Sequence, residues 1–379
     1  MRPKSGLPKR KALRRMPQFA YGFRDNPNVA QYLNPELKRN GHVPEEWPTA
    51  ISFFSGCGGM DLGFLGGFTF LGTHYPPLPF KILHAYDNDA KAVQTYRLNL
   101  ADHISETDLS KVDLTQFQYA DVLIGGFPCQ DFSSCGHKLG LKGHRGELYT
   151  VMRDYMRIHK PKVVIGENVP HLERMHGGQV LRKIQSELEE VGYRFKLWRL
   201  VCPDYGLPQS RRRLFFVGVR NDLPGFPEMP APTHFFGRVS IDDAIADLEK
   251  VEDESVPNQS QYFVATKATA GAGQGDQKSQ AGELAYAVRA NSKARVHFHY
   301  KLDRRLTVRE SARLQSFPDE FVFPHATSAN IMQIGNAVPP IVGHNVANAI
   351  AEYFRDVLNQ QTFDSVFSQS VSEGTRRRD

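Results

Sequence analysis

The chain has 379 residues, a formal net charge of +6 at pH 7, a pI near 9.0 and a mean hydropathy of −0.44. Because no apolar run approaches the roughly 20 residues that span a bilayer, and no apolar segment follows the basic N-terminus, we expect neither membrane insertion nor export. Four cysteines in this length exclude a disulfide framework and fit the reduced thiols of a cytoplasmic protein, while the basic excess favours a polyanionic partner.

The first fifteen residues form a basic arm with seven cations and no acidic residue. These cations are Arg2, Lys4, Lys9, Arg10, Lys11, Arg14 and Arg15. Two interpretations are open: the arm contacts nucleic acid, or it is a disordered tail that only keeps the chain in solution. The run Arg376-Arg377-Arg378 at the other end is more typical of a frayed terminus.

Strand-like and helix-like segments alternate from residue 50 onward. The predicted strands span 50–54, 81–86, 121–125, 162–165, 193–200 and 213–219. Apolar residues recur at helical spacing between them, at Leu148, Val151, Met152 and Tyr155 and again at Leu181, Ile184, Leu188 and Val191. This alternation predicts an α/β fold with a largely parallel sheet and helices on both faces.

The alternation stops near Asn221, where proline and glycine become frequent and indicate a domain boundary. Residues 265–282 are rich in Ala, Gly, Gln and Ser and predict a flexible loop in a second, smaller and irregular domain. A capping box from Thr307 to Glu310 opens a later helix, and Pro339-Pro340 begins the last one.

A glycine-rich turn, Phe54-Ser55-Gly56-Cys57-Gly58-Gly59, follows the first predicted strand. Such a turn lets a ligand approach the backbone, although its spacing lacks the later glycine of the dinucleotide fingerprint. Asp87 ends the second strand, where a carboxylate can accept hydrogen bonds from ribose hydroxyls. We interpret Asp89 as the N-cap of the following helix.

The segment Gly125-Gly126-Phe127-Pro128-Cys129-Gln130 ends the apolar strand at 121–125. A cysteine on a stiff turn at the end of a central strand is a candidate nucleophile, and the alternative is a small buried apolar residue. Glu167 ends another strand at the same sheet edge, where burial can make a carboxyl group an acid. Arg211 and Arg213 alternate on an extended segment and can face one pocket together.

A zinc site is the other interpretation of the region around Cys129. Cys129, Cys135, His137 and His144 lie close together in the sequence, but no CxxC pair is present and the spacing matches no usual zinc motif. We therefore predict that no metal is bound.

Taken in order, these motifs resemble the DNA (cytosine-5)-methyltransferases of bacterial restriction-modification systems. The resemblance covers roughly residues 51–354, apart from the low-complexity middle. Its motifs are residues 54–59, Pro128-Cys129-Gln130, Glu167-Asn168-Val169, residues 209–213, Arg305-Leu306-Thr307, Gln315-Ser316-Phe317-Pro318 and residues 333–338. Two departures are Asp87, where the family more often has Glu, and Ala337, where it often has Ser.

The resemblance implies a catalytic or cofactor-binding role for each of the candidate site residues. Catalysis would fall to Cys129 as the nucleophile and to Glu167 at the target cytosine, with Arg213 beside it and Arg211 in support. S-adenosyl-L-methionine would be the methyl donor, with Asp87 at its ribose and Asp108 at its adenine. The full set of implied cofactor-binding residues is Phe54, Ser55, Gly56, Cys57, Gly58, Gly59, Asp87, Asp108, Leu148 and Asn336.

The resemblance also implies a Rossmann-like S-adenosylmethionine-dependent methyltransferase sheet with a smaller target-recognition domain. The expected limits are a basic N-terminal extension at 1–48, a catalytic domain at 49–222, the target-recognition domain at 223–327, a return to the catalytic domain at 328–358 and a tail at 359–379. Residues 133–147 would form a mobile lid whose Lys138, Lys142, His144 and Arg145 grip phosphates. Candidate DNA contacts are Arg289, Lys293, Arg295, His297 and His299.

The implied partner is double-stranded DNA, with a cognate restriction endonuclease acting on the same site as a possible second one. We expect a monomer in the cytoplasm, associated with the nucleoid. Two alternatives stay open: an RNA (tRNA) cytosine-5 methyltransferase with the same motifs, and a non-catalytic methyltransferase-like DNA-binding regulator. The regulator would be expected to lack Cys129 or Glu167, and both are present.

Overall fold

The computed structural model describes residues 47–128, 148–251 and 276–358, all within one compact unit. Several predictions fall outside the described residues: the basic arm, the predicted lid at 133–147, the four residues weighed as zinc ligands (Cys129 among them), residues 265–275 of the predicted loop and the tail at 359–379.

A seven-stranded sheet forms the centre of the molecule, in the order β5-β4-β1-β6-β7-β9-β8. Strands β5, β4, β1, β6 and β7 pair in parallel, whereas β9 runs antiparallel to both β7 and β8. A separate two-stranded hairpin is formed by β2 and β3. The strands are β1 (Thr49–Phe53), β2 (Phe68–Phe70), β3 (Thr73–Tyr75), β4 (Lys81–Asp87), β5 (Ile104–Glu106), β6 (Val122–Gly125), β7 (Val163–Asn168), β8 (Tyr193–Val201) and β9 (Arg212–Arg220).

Eight α-helices accompany the strands within the described ranges. They are α1 (Gly59–Leu65), α2 (Ala90–Asn99), α3 (Leu148–His159), α4 (Gln179–Glu189), α5 (Ile241–Ile245), α6 (Val308–Leu314), α7 (Thr327–Asn336) and α8 (Pro340–Tyr353). None of these helices combines the length and apolar character needed to cross a membrane.

The sheet is covered on both faces because successive strand residues point to opposite sides. In β6, Val122 and Ile124 enter one apolar cluster with α1, α2 and α8, whereas Leu123 enters a second cluster with α3 and α4. The predicted α/β class with a mostly parallel, helix-covered sheet is thereby confirmed.

All six predicted strands are present with ends shifted by a few residues, whereas β5 and the β2–β3 hairpin were missed. Each missed strand has three residues, too few to show a period in the sequence. Strand β7 is longer than predicted because Glu167 and Asn168 pair with Phe215 and Leu214 of β9. Glu167 therefore belongs to the strand and is held in register by its neighbour.

The last two α-helices return to the first part of the sheet. Gly63 of α1 and Gly343 of α8 touch, and a Cβ atom at Gly63 would lie 2.6 Å from the backbone carbon of Gly343. This contact presses α8 against α1 and brings the segment before α8 next to the glycine turn. The predicted capping box is confirmed, because Thr307 and Glu310 each accept the other's backbone N–H at the start of α6.

The described part of 223–327 shares its buried side chains with the sheet. Ile241 and Ile245 of α5, together with Leu306 and Phe317, belong to the same apolar cluster as Val122 and Ile124. The limits of the smaller domain stay a prediction.

Candidate active site

A cavity of about 730 Å³ opens at the carboxyl edge of the parallel strands. It lies beside the point where the strand order reverses, between β1 and β6, which is where open α/β sheets bind ligands. The residues that follow β1, β4, β6 and β7 supply one wall, and residues 287–290 with 332–338 supply the other. We call these the sheet wall and the return wall.

The glycine turn is the first element of the sheet wall. Phe54 adopts a φ of 54° and Gly56 a φ of 56°, so the turn is left-handed at both positions. The Gly56 N–H donates to Oδ2 of Asp87 at 2.8 Å, which joins the ends of β1 and β4. A Cβ atom at Gly56 would meet nothing within 4 Å, because this position faces open space.

The predicted cofactor residues of the turn divide into two groups. Phe54, Ser55, Gly56 and Cys57 line the cavity. Gly58 and Gly59 are not among its lining residues: a Cβ atom at Gly58 would lie 2.4 Å from the Leu100 side chain, and one at Gly59 would lie 2.4 Å from the Val338 carbonyl. These two glycines permit close packing behind the turn.

A buried polar network supports the turn from behind. Asp61 of α1 is fully buried and accepts hydrogen bonds from Ser52 Oγ at 3.0 Å and from Tyr96 Oη at 2.9 Å. Ser55 Oγ donates to Ser52 Oγ, which links the network to the cavity. Burial raises the pKa of Asp61 to about 6.

Two further acids lie on the sheet wall. Asp87 accepts the Asp89 N–H through Oδ1 at 2.9 Å, and burial raises its pKa. Asp108 follows the missed strand β5 and caps the short 3₁₀ helix Leu109–Lys111, where hydrogen bonding with Lys111 is the main cause that lowers its pKa to about 2. The prediction that Asp89 caps α2 is confirmed by its acceptance of the Lys91 and Ala92 N–H groups.

Glu167 lies at the end of β7, beside the turn that leads to Cys129. Its Oε1 is 2.5 Å from Nε of Arg213, an ion pair without hydrogen-bond geometry. A Cβ atom at Gly126 would lie 3.1 Å from Glu167 Oε2, so the carboxylate packs against the Gly126 backbone. Asn168 donates to the Phe127 carbonyl at 3.0 Å and thereby fixes the strand-to-turn transition two residues before Cys129.

Both cysteines in the described ranges are buried. Burial raises the pKa of the Cys57 thiol above its usual range, and it raises that of Cys202 to about 11. Because the thiolate is the nucleophilic form, neither of these two thiols suits nucleophilic catalysis.

Gln209 and Arg211 connect the sheet to the return wall. Arg211 is 2 % exposed and donates to the carbonyls of Val288 at 3.0 Å, Gly335 at 2.9 Å and Ala337 at 3.1 Å. Gln209 accepts the Val288 N–H at 2.9 Å. Burial lowers the pKa of Arg211 to about 9, which leaves the guanidinium charged at neutral pH. Arg211 therefore supports the cavity while Arg213 contacts Glu167.

The return wall contains predicted residues and missed ones. Asn336 lines the cavity, as does Leu148, which begins α3 on the other side. Residues 287–290, His171 and Gln333 also line it, although none of them was predicted to bind the methyl donor and only Arg289 was predicted to contact DNA. Gln333 belongs to a motif of the resemblance. Ala287, Val288 and Ala290 carry no sequence signal, because the segment is held there by the contacts of Gln209 and Arg211 with Val288.

The expected DNA contacts also divide into two groups. Arg289, Lys293 and Arg295 are exposed and line a surface depression of about 510 Å³. The structure contradicts the same expectation for His297 and His299, which are buried. His297 accepts the Arg289 N–H, and His299 accepts the N–H groups of Lys301 and Leu302, so both rings stabilise the local backbone.

Comparison with known proteins identifies the family of the chain. The family model described as C-5 cytosine-specific DNA methylase matches residues 49–287 and 247–352. Type II methyltransferase M.BspRI of Lysinibacillus sphaericus is 32% identical over 361 residues, covering 81% of this chain and 82% of that protein. Type II methyltransferase M.NgoFVII of Neisseria gonorrhoeae is 30% identical over 352 residues, covering 82% and 88%.

Solved structures share the fold. The structure of a putative DNA modification methyltransferase encoded within an E. coli prophage aligns with a TM-score of 0.59 at 21% identity, covering 82% of this chain and all of that one. The Dnmt2 methyltransferase of S. pombe aligns with a TM-score of 0.56 at 18% identity, covering 80% and 98%. Because the family model matches most of the chain and a curated relative is 32% identical to it, the chain belongs to the C-5 cytosine-specific DNA methylase family.

Proposed function

We propose that this protein methylates carbon 5 of a cytosine in a specific sequence of double-stranded DNA, with S-adenosylmethionine as the methyl donor. Two observations support a role in a restriction-modification system: the family match, and curated relatives that are named Type II methyltransferases. In that role the enzyme acts as a monomer in the cytoplasm, near the nucleoid, and protects sites that a partner endonuclease would cut.

The cavity fits the methyl donor that the family uses. Its volume of about 730 Å³ lies within the usual range of roughly 300–1,000 Å³ for small-molecule sites. The apolar side chains of Phe54, Leu109 and Leu148 suit an adenosine ring system, and Asp87 and Asp108 offer acceptors for hydroxyl and amino groups. The open space at Gly56 lets a ligand reach the backbone of the turn.

One observation carries the catalytic part of the proposal: Glu167 packs against the turn that leads to Cys129. The contact of the Glu167 carboxylate with Gly126, three residues before Cys129, and the hydrogen bond from Asn168 to the Phe127 carbonyl support Glu167 as the acid that acts with this thiol. Cys129 itself lies outside the described residues, and its role rests on the sequence motif. The buried state of Cys57 and Cys202 supports the choice, because neither thiol is readily ionised.

The reaction divides a difficult step into two easier ones. The Cys129 thiolate adds to carbon 6 of cytosine while Glu167 protonates N3, which makes carbon 5 nucleophilic. Bound S-adenosylmethionine supplies an activated methyl group on a positively charged sulfur. Once carbon 5 carries this methyl group, a base removes the carbon 5 proton, the thiolate leaves carbon 6, and the N3 proton returns to Glu167.

The positions of the two arginines support distinct roles in this chemistry. Arg213 is paired with Glu167 and orients that carboxyl group toward the substrate, whereas Arg211 holds the return wall in place. Carbon 5 and carbon 6 are inaccessible in a duplex, so the target base must leave the stack, at a cost of a few kcal/mol.

A covalent trap tests the mechanism. A duplex with 5-fluorocytosine at the target position places fluorine where the departing proton should be, so elimination is blocked after methyl transfer. We expect a denaturation-resistant protein–DNA adduct that requires S-adenosylmethionine and maps to the peptide containing Cys129. Cys129→Ser should give no adduct, and Cys135→Ser should retain it.

Two outcomes would contradict the proposal. Methylation of ordinary DNA without an adduct, or with an adduct at another cysteine, would exclude the Cys129 mechanism. Methyl transfer to tRNA in preference to duplex DNA would assign the enzyme to RNA instead. Sequencing methylated cytosines in a host that expresses the chain identifies the site.

A further inference from the structure

Gln333 of α7 carries a buried amide that the described part of the chain leaves without a hydrogen bond. The side chain is 4 % exposed, and among the described residues neither its Nε2 nor its Oε1 has a partner. Gln333 nevertheless belongs to the return wall of the cavity. Burying an unpaired polar group costs free energy, so an amide with both ends unpaired at a cavity requires an explanation.

The backbone of Gln333 is held by its contacts, whereas the described residues offer its side-chain amide no hydrogen bond. Its carbonyl accepts the Ala337 N–H at 3.0 Å and lies 3.8 Å from the Cys57 Sγ of the glycine turn. A glutamine side chain has three rotatable bonds, so the amide can change direction without moving the helix. The fixed backbone keeps the residue against the turn, and the free amide can face the cavity.

A second buried amide on the same helix shows the contrast. Asn330 is fully buried and donates to the carbonyls of Phe323 at 3.0 Å and His325 at 2.6 Å. Its Oδ1 accepts the His325 N–H at 3.1 Å. Asn330 is thus satisfied by the protein and stabilises the start of α7, whereas the amide of Gln333, one turn later, makes no hydrogen bond to the residues that the structure describes.

Under the proposed function, the amino-acid end of the methyl donor is the part that remains for Gln333 to contact. Asp87 and Asp108, at the ends of β4 and β5, suit its adenosine part, and the methyl group must face Glu167 on β7. The amino-acid end then lies along the turn after β1, the turn that Gln333 contacts. An ammonium and a carboxylate offer a donor and an acceptor, which complement the Oε1 acceptor and Nε2 donors of an amide.

We propose that Gln333 turns into the cavity and pairs its amide with the amino-acid end of S-adenosylmethionine, selecting ligands that carry this group. The inference rests on the proposed function, because it assigns a residue to the methyl donor of that reaction. It makes Gln333 a binding residue, distinct from Asp87 and Asp108, that discriminates between the donor and adenosine compounds without an amino-acid end.

Calorimetry with three ligands tests the assignment on the full chain. The ligands are S-adenosylmethionine, S-adenosylhomocysteine and 5′-methylthioadenosine, which lacks the amino-acid end and is measured by competition. We expect Gln333→Met to weaken the first two about tenfold, a loss of about 1.4 kcal/mol, and to change the third less than twofold. Gln333→Asn, whose amide is one methylene shorter, should show the same selective loss.

The matched control is Asn330→Leu. This variant should lower the urea midpoint of unfolding and leave the affinity for S-adenosylmethionine within twofold, whereas Gln333→Met should not lower the midpoint. Equal weakening of all three ligands by the Gln333 variants, or a loss of stability with unchanged affinity, would overturn the inference. If the unsubstituted chain binds neither S-adenosylmethionine nor S-adenosylhomocysteine, the proposed function itself fails.

Discussion

The two walls of the cavity are built in different ways. On the sheet wall, Asp87 and Glu167 lie at the ends of β4 and β7, two strands of one sheet, where pairing with Glu106 of β5 and Phe215 of β9 sets their positions. On the return wall, Val288 and Gly335 are held by the buried side chain of Arg211, which lies 77 and 124 residues away in the sequence. The sheet wall is fixed by backbone pairing, and the return wall by a few side-chain hydrogen bonds.

The two walls therefore have different roles: the sheet wall carries the proposed catalytic acid, and the return wall is a structural support. The sheet wall carries the acid that we assign to catalysis, and the sheet does not need that carboxyl group to form. The return wall depends on one charged side chain, Arg211, which donates to three carbonyl groups and makes no hydrogen bond to an acid within the described ranges. Substitutions in the two walls should therefore affect different measurements.

The largest effect is expected for Glu167→Gln on the sheet wall. A glutamine cannot transfer a proton to N3, so turnover should fall by about 10²- to 10⁴-fold, while the methyl donor still binds. Methyl transfer to duplex DNA and calorimetry with S-adenosylmethionine measure the two properties. Glu173→Gln, which removes a surface ion pair with Arg199, is the control and should keep its turnover. Equal turnover in the two variants would exclude Glu167 as the acid.

The second-largest effect is expected for Arg211→Ala on the return wall, and it concerns the free energy of unfolding. Removal of the guanidinium leaves three carbonyls without their charged donor, so the free energy of unfolding should fall by about 3 to 5 kcal/mol. Arg212→Ala is a matched control at the neighbouring, exposed position and should change it by less than about 0.5 kcal/mol. Urea unfolding measures both, and similar values for the two variants would show that the return wall does not depend on Arg211.

A smaller effect is expected from the network behind the glycine turn. Because burial raises the pKa of Asp61 to about 6, the folded chain binds its proton more tightly than the unfolded chain does. The contribution of Asp61 to stability is therefore largest below pH 4 and declines as the pH rises through 6. Relative to the unsubstituted chain, Asp61→Asn should gain stability between pH 4 and pH 7, by about 1 to 3 kcal/mol.

Urea unfolding at several pH values checks the sign. Asp113→Asn is a control whose stability should depend on pH in the opposite direction. A hydrogen bond from Thr115 lowers the pKa of Asp113, so the contribution of Asp113 to stability is lost as the pH falls. A stability difference between Asp61→Asn and the unsubstituted chain that stays constant from pH 4 to pH 7 would show that Asp61 has no raised pKa.

Much of the sheet wall could be predicted from the sequence. Apolar runs of strand length ended at Asp87 and before Glu167, and parallel strands bring their carboxyl ends to one edge. The strand β5 before Asp108 was missed because three residues show no period. His297 and His299 were misjudged because two histidines among cations resemble a basic surface, and only the fold shows that their rings accept backbone N–H groups from within.

Hydrophobic periodicity and turn residues by themselves determined the α/β class, the succession of strands and motifs along the chain, and the glycine turn. These features depend on neighbours within a few residues. Only the tertiary structure decided which residues complete the cavity. Gln209 and Arg211 select the segment at 287–290, and the contact of Gly63 with Gly343 brings Gln333 to the glycine turn. Such contacts join residues far apart in sequence. Because every residue has a backbone carbonyl, a hydrogen bond to one requires no particular residue type or spacing, and the sequence therefore does not reveal it.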